Sequence, residues 1–182
     1  MVFLKLICFP SFIFTLLFAC GKNMPTEISP AKNLNFSISA ANFEITSNFY
    51  QADGTKLLAT YDSANKPLLL LFGGVACSGC VLEHQHIQAA IVGGELDLTK
   101  FNVITFLVGS DQDNLNHLEF FQDFRSDANF SWPMTGDKTL NIFKANCKEY
   151  LTPCTAIYLP NQGQVFSEIG EVPVSTLKGI LY

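Results

Sequence analysis

The stretch KPLLLLFGGVACSGC, residues 66–80, constrains the fold more than any other part of the chain. Every position from Leu68 to Phe72 is apolar, so this segment has no polar face to offer solvent. A strand of that pattern is a central one, covered on both sides. Gly73 and Gly74 close it, and Cys77 and Cys80 follow with two residues between them. Residues 78–92 then carry Leu82, Ile87, Ala90 and Ile91 at helical spacing, with Gly93-Gly94 as a stop. A buried strand handing over to a helix at a CxxC leaves three uses for the pair. It can be a structural clip, half of a metal cage, or two thiols that exchange electrons.

The flanking sequence supplies the other elements. Residues 42–62 alternate apolar and polar positions around Asp53-Gly54, a turn signal, and predict an N-terminal β-hairpin. FNVITFLVGSD (101–111) predicts a second buried strand. Residues 113–124 place Leu115, Leu118, Phe121 and Phe124 at helical spacing, and 137–147 read as a further short helix. Residues 154–160 and 163–170 form a second hairpin across Asn161-Gln162-Gly163, and VPVSTLKGILY closes the chain as a helix. The alternation predicts an α/β sandwich: a mixed central sheet with a parallel centre, antiparallel hairpins at its edge, and flanking helices. Phe120, Phe121 and Phe124 are read as core aromatics.

The N-terminus bears on compartment. Lys5 precedes a segment, Leu6–Ala19, that is apolar except at Pro10, Ser11 and Thr15. It is too short for a membrane-spanning helix of about 20 residues but suits a signal peptide over residues 1–19. LLFAC at its end resembles the lipobox of bacterial lipoproteins, departing from it at Phe18; the resemblance implies lipidation of Cys20 and anchoring of the chain to a membrane by that lipid. Residues 20–41, polar and containing Pro25 and Pro30, are expected to be a flexible tether, which leaves 42–182 as one domain. The expected location is extracytoplasmic, on the periplasmic side of a bacterial membrane, where disulfides persist. The net charge is −5 with no Lys/Arg run, which argues against nucleic acid as a partner.

On a helix, positions i and i+3 share a face, so Cys77 and Cys80 can reach each other. Cys77 would stand at the helix N-terminus, where unpaired amides and the helix dipole favour a thiolate. That makes Cys77 the attacking sulfur and Cys80 the resolving one, in an exchange through a mixed disulfide.

The arrangement resembles the thioredoxin-like superfamily, and within it the membrane-tethered bacterial thiol–disulfide oxidoreductases of cytochrome c maturation. The matching segments are LLLLFGGVACSGC, the glutamate shortly after the second cysteine (Glu83), and LTPCTAIYLPNQGQVFSEIG, over roughly residues 42–180. The resemblance implies a thioredoxin-like sandwich and a cis peptide at Thr152-Pro153 beside the cysteines, shaping a groove for an extended substrate. It also implies a thiol-tuning role for Glu83. Substrates would be cysteine pairs in exported proteins, apocytochromes among them, with a membrane or periplasmic redox partner and no organic cofactor. Three features depart from the family pattern: Ala76 replaces a usual tryptophan, Leu71 a buried aspartate, and Ser78-Gly79 a spacer that usually carries proline.

Cys147 and Cys154 remain. A disulfide between them would close a loop of about eight residues and stabilise by roughly 2.5 kcal/mol in the chain-entropy model. Two free thiols, a second redox pair, or a zinc site of all four cysteines are the alternatives; the six intervening residues exceed the usual zinc-hairpin spacing of about two to four. A copper- or zinc-binding module on the same fold, or a degenerate domain without catalysis, are the competing functions. His84 and His86, at i and i+2, face apart on a helix and are read, with His117, as surface residues rather than metal ligands. Val81 stands where a c-type haem site needs histidine.

Overall fold

The computed structural model describes residues 35–74, 76–109 and 118–182. The expected leader, Cys20, most of the tether, Leu115 and His117 lie outside those residues.

The elements in chain order are β1 (Asn35–Ile38), β2 (Phe43–Tyr50), β3 (Lys56–Asp62), β4 (Leu68–Gly74), α1 (Ser78–Val92), β5 (Asn102–Val108), α2 (Leu118–Ala128), β6 (Met134–Gly136), α3 (Asn141–Asn146), β7 (Cys154–Leu159), β8 (Gly163–Ile169) and α4 (Val174–Leu181). One eight-stranded sheet runs β1-β2-β6-β5-β4-β7-β8, with β3 also paired to β2. Its centre is parallel: β4 pairs with β5 from Leu68↔Asn102 to Gly74↔Val108, and β5 with β6. β4 meets β7 antiparallel, and the β2–β3 and β7–β8 hairpins form the wings. The architecture is the expected α/β sandwich. Among the described residues no helix is long and apolar enough to cross a membrane.

β4 is central because nothing along it tolerates water. Leu69 and Leu71 point into one core with Ile87 of α1, Phe121 and Phe124 of α2, and Leu177 of α4. Leu68, Leu70 and Phe72 point into the other, with Phe43, Phe49, Phe106, Ile142, Phe143 and Tyr158. All five β4 side chains are fully buried. At roughly 1.5–3 kcal/mol for each fully buried apolar side chain, these five contribute on the order of 8–15 kcal/mol of burial.

The structure differs from the sequence expectation at several points. β1 lies inside the segment expected to be tether, paired with β2 through Phe36↔Ile45. β6, three residues long, was not expected; too short to show a period, it exists because β5 needs a neighbour on its open side. The described part of the second helix starts at Leu118. It is held down by Arg125, whose guanidinium donates to the carbonyls of Phe130 (3.1 Å), Trp132 (3.0 Å) and Tyr50 (2.9 Å). Burial pushes the pKa of that guanidinium down to about 10. In α1 the buried stripe is Cys80, Glu83, His84, Ile87 and Ala90, while Leu82 is 48% exposed. The buried face thus contains two ionisable residues where aliphatic ones were expected.

Cys147 and Cys154 form a disulfide with Cα atoms 6.5 Å apart. It joins the end of α3 to the start of β7 and encloses the segment carrying Thr152 and Pro153. Both sulfurs belong to the core on the Phe72 face, whereas Cys80 belongs to the core on the Leu71 face. Replacing Cys147 and Cys154 together by alanine is expected to lower the unfolding free energy by about 2.5 kcal/mol. Urea denaturation with the other disulfide intact measures this; an unchanged midpoint would mean that the loop is held by its remaining contacts.

Candidate active site at the Cys77–Cys80 disulfide

The site is built where β4 ends. Gly73 and Gly74 let other elements crowd the strand terminus from both sides. A Cβ on Gly73 would lie 2.9 Å from Phe124 Cζ, and one on Gly74 would lie 2.9 Å from Thr152 Oγ1. A larger residue at either position would force the Phe124 ring or the Thr152 side chain to shift. The chain then passes Ala76, at φ 62°, a left-handed conformation that costs a non-glycine residue roughly 1–2 kcal/mol. It enters α1 at Cys77, which serves as N-cap with φ −92° and ψ 98°.

Cys77 and Cys80 form a disulfide with Cα atoms 5.2 Å apart. Cys77 Sγ accepts the Cys80 amide at 3.2 Å, and Cys80 Sγ accepts the Gly74 amide at 3.4 Å. Each sulfur therefore already faces a backbone N–H that would stabilise a thiolate, with the dipole of a 15-residue helix added at Cys77. Accessibility separates the two: Cys77 is half-buried and Cys80 fully buried. The Thr152-Pro153 peptide is cis. The Pro153 ring lies across the dipeptide between the cysteines, so that a Cβ on Gly79 would be 3.5 Å from Pro153 Cδ. Cys77, Cys80, Thr152 and Pro153 are thus brought together, and Cys147 and Cys154 lie behind the sheet.

Glu83, one turn past Cys80, is fully buried. Its Oε1 accepts the Thr155 hydroxyl at 2.8 Å and the Val172 amide at 3.3 Å, while Oε2 has no partner among the described residues. Burial pushes its pKa from 4.5 up to about 7; the two hydrogen bonds act in the opposite direction, and nearby Glu171 adds a little to the rise. The same loop ties the site together: Gly170 N donates to Pro153 O at 2.8 Å, and Glu171 pairs with His86 on the surface of α1.

His84 corrects the expectation of a surface histidine: it is fully buried. Nδ1 donates to Cys80 O at 2.7 Å, since a carbonyl can only accept. Nε2 is therefore the acceptor, and the Thr105 hydroxyl, 2.8 Å away, must donate to it. Thr105 in turn accepts from Trp132 Nε1 at 2.9 Å. The rings of Phe124, Phe130 and Trp132 surround the imidazole with centroids 5.0–5.7 Å away. Burial holds its pKa down at about 4. Sequence reasoning missed this network because Thr105 and Trp132 come from two other segments. His86 is exposed, with its ring on Glu171. Among the described residues no group of three or more His, Cys, Asp and Glu side chains is arranged to hold a metal.

The chain matches no protein-family model and no curated protein in sequence. Its structure is similar to StoA from Bacillus subtilis, with 14% identity and a TM-score of 0.55 over 79% of this chain and 98% of that one. It is similar to the thioredoxin domain of a thiol-disulfide oxidoreductase from Bacteroides vulgatus (12% identity, TM-score 0.56, covering 81% and 100%). It also resembles a secreted Mycobacterium tuberculosis disulfide oxidoreductase homologous to E. coli DsbE (16%, 0.51, covering 72% and 91%). The fold is thioredoxin-like.

Glu83 and His84 oppose each other in pH dependence. Between about pH 4.5 and 7, native Glu83 keeps a proton that the unfolded chain has lost, so this group makes stability fall as pH rises. Between about pH 4 and 6.5, the unfolded chain protonates His84 while the native state does not, so this group makes stability rise with pH. Glu83→Gln keeps the Thr155 and Val172 bonds and removes the first effect. Its urea midpoint is expected to climb from pH 4.5 to 6.5 more steeply than that of the parent; parallel profiles would show that Glu83 does not titrate in this range.

Proposed function

We propose that this thioredoxin-like chain is an extracytoplasmic thiol–disulfide oxidoreductase acting on cysteine pairs of exported proteins, with Cys77 as nucleophile and Cys80 as resolving thiol. One observation carries the reading: the half-exposed sulfur caps a helix, accepts a backbone amide, and lies beside a cis-proline loop, with its disulfide partner buried behind it. The secreted Mycobacterium tuberculosis enzyme with the same fold supports the location.

In the reducing direction, the Cys77 thiolate attacks one sulfur of a partner disulfide. The partner S–S bond breaks, its other sulfur leaves as a thiolate, and a mixed disulfide forms. Cys80 then loses its proton and attacks Cys77 Sγ. The Cys77–Cys80 bond forms and the second partner sulfur leaves. Two electrons have passed to the partner, whose two thiolates take up protons from water, while the protons of Cys77 and Cys80 have been released; the same steps reversed oxidise it, and the difference in potentials sets the direction. Glu83, with a pKa near 7 and a free Oε2, is suited to take the proton from Cys80 and return it. Thr152 and Pro153 present the backbone along which an extended substrate lies. Apocytochromes are a candidate substrate, and a membrane or periplasmic redox protein would reset the pair. Residues 1–19 serve as signal peptide, Cys20 carries the lipid, and the segment after it tethers the domain to the membrane.

Cys80→Ser is expected to accumulate mixed disulfides at Cys77 on exported proteins, and Cys77→Ser to accumulate none. Non-reducing electrophoresis followed by mass spectrometry of the trapped species reads both. A reduced chain that alkylates slowly at Cys77 and traps nothing would overturn the reading.

A further inference from the structure

Beside Cys77, on the side of α1 that faces α2, runs a groove of about 690 Å³. Ala76, Cys77 and Ser78 form one end, and Val81, Leu82 and Phe120 are among its apolar walls. Leu82 has 48% of its area exposed along this groove. Asp123 and Asp127 line the same groove from α2. Both are exposed and stand at i and i+4, where like charges repel by a few tenths of a kcal/mol. Neither has a cation within salt-bridge distance among the described residues. An apolar trough that begins at Cys77 and is edged by two exposed carboxylates is complementary to a segment with apolar and basic side chains.

Resting on the exchange function proposed above, we propose that this α1–α2 groove is the docking site for the partner segment flanking its reacting cysteine, and that it selects an apolar residue next to that cysteine and a lysine or arginine beyond it. The spacing follows from the helix geometry. Gln85 Nε2 donates to the Asp127 carbonyl at 2.7 Å, so Asp127 lies level with Gln85, eight residues along α1 from Cys77. At 1.5 Å per residue that is about 12 Å, and Asp123, one turn earlier on α2, lies at about 6 Å. An extended segment at about 3.3 Å per residue covers these distances with roughly four and two residues. The basic side chain therefore belongs two to four positions from the partner's cysteine. The groove is separate from the proline loop, which contacts the cysteines through Gly79.

The test uses the full chain and three disulfides: a peptide disulfide with Leu next to the cysteine and Lys three positions on, the same peptide with Ser and Glu there, and glutathione disulfide. The Leu/Lys peptide is expected to exchange at least 10-fold faster than the Ser/Glu peptide. Asp123→Asn/Asp127→Asn is expected to reduce that preference to about twofold, and Leu82→Ser to weaken it while leaving the rate with glutathione disulfide unchanged. A preference that is absent, or that survives in both variants, overturns the proposal. Docking is also read without exchange, by amide chemical shifts on adding the Leu/Lys peptide with its cysteines replaced by serine. Shifts across residues 76–85 and 120–127 support the groove, and shifts confined to residues near Pro153 refute it. A chain inert to all three disulfides sinks the oxidoreductase reading, and the shift map still decides where the peptide binds.

Discussion

The structure depends on one constraint, the need to keep water off both faces of Leu68–Phe72. A strand with five consecutive apolar residues and no polar edge has to be sandwiched, and its neighbours β5 and β7 are themselves buried along most of their length. Helices α1, α2 and α4 cover one side; α3 and the aromatic side chains of the β2 and β7 strands fill the other. Where the apolar run ends, two residues without side chains admit Phe124 from one direction and Thr152 from the other. The Cys77–Cys80 pair sits where these three elements converge, and its geometry follows from core packing.

The helix that carries the cysteines is stabilised in an unexpected way. Its inward stripe includes a carboxyl group and an imidazole, and burial pushes both toward their neutral forms. Glu83 connects α1 to the strand after the proline loop through Thr155 and to the segment before α4 through Val172. His84 connects the Cys80 carbonyl to β5 through Thr105. Together they fix the rotation of α1 about its axis more specifically than apolar contacts do, since hydrogen bonds have direction. Cys80 Sγ thereby faces the Gly74 amide.

Much of this was legible in the sequence. The buried strand, the strand–helix junction at Cys77, both hairpins and the α/β layering follow from local patterns: a solid apolar run, paired glycines, Asp-Gly and Asn-Gln-Gly turns. The rest depends on contacts between distant segments. No local signal marks Met134–Gly136 as a strand, because its pairing is supplied by β5. His84 looks like a solvent residue until Thr105 and Trp132 arrive to satisfy and enclose it. Leu82 looks like core by helical spacing, yet the buried stripe runs through Glu83 and His84, and Leu82 is turned outward into the groove. Asn35–Ile38 reads as linker because it closes a tract that is polar and carries Pro25 and Pro30, and becomes a strand by borrowing the edge of β2.

The central sheet also acts as a partition. One disulfide opens to the surface at the head of α1; the other is buried with Phe72 and Phe143 on the reverse side, Cys147 lying at the floor of a shallow groove. The two sulfur couples therefore belong to different layers of the molecule, Cys80 to the core on the Leu71 face and Cys147 and Cys154 to the core on the Phe72 face. If the outer couple exchanges with a partner as proposed, the brace that spans Thr152 and Pro153 stands on the opposite layer from that encounter.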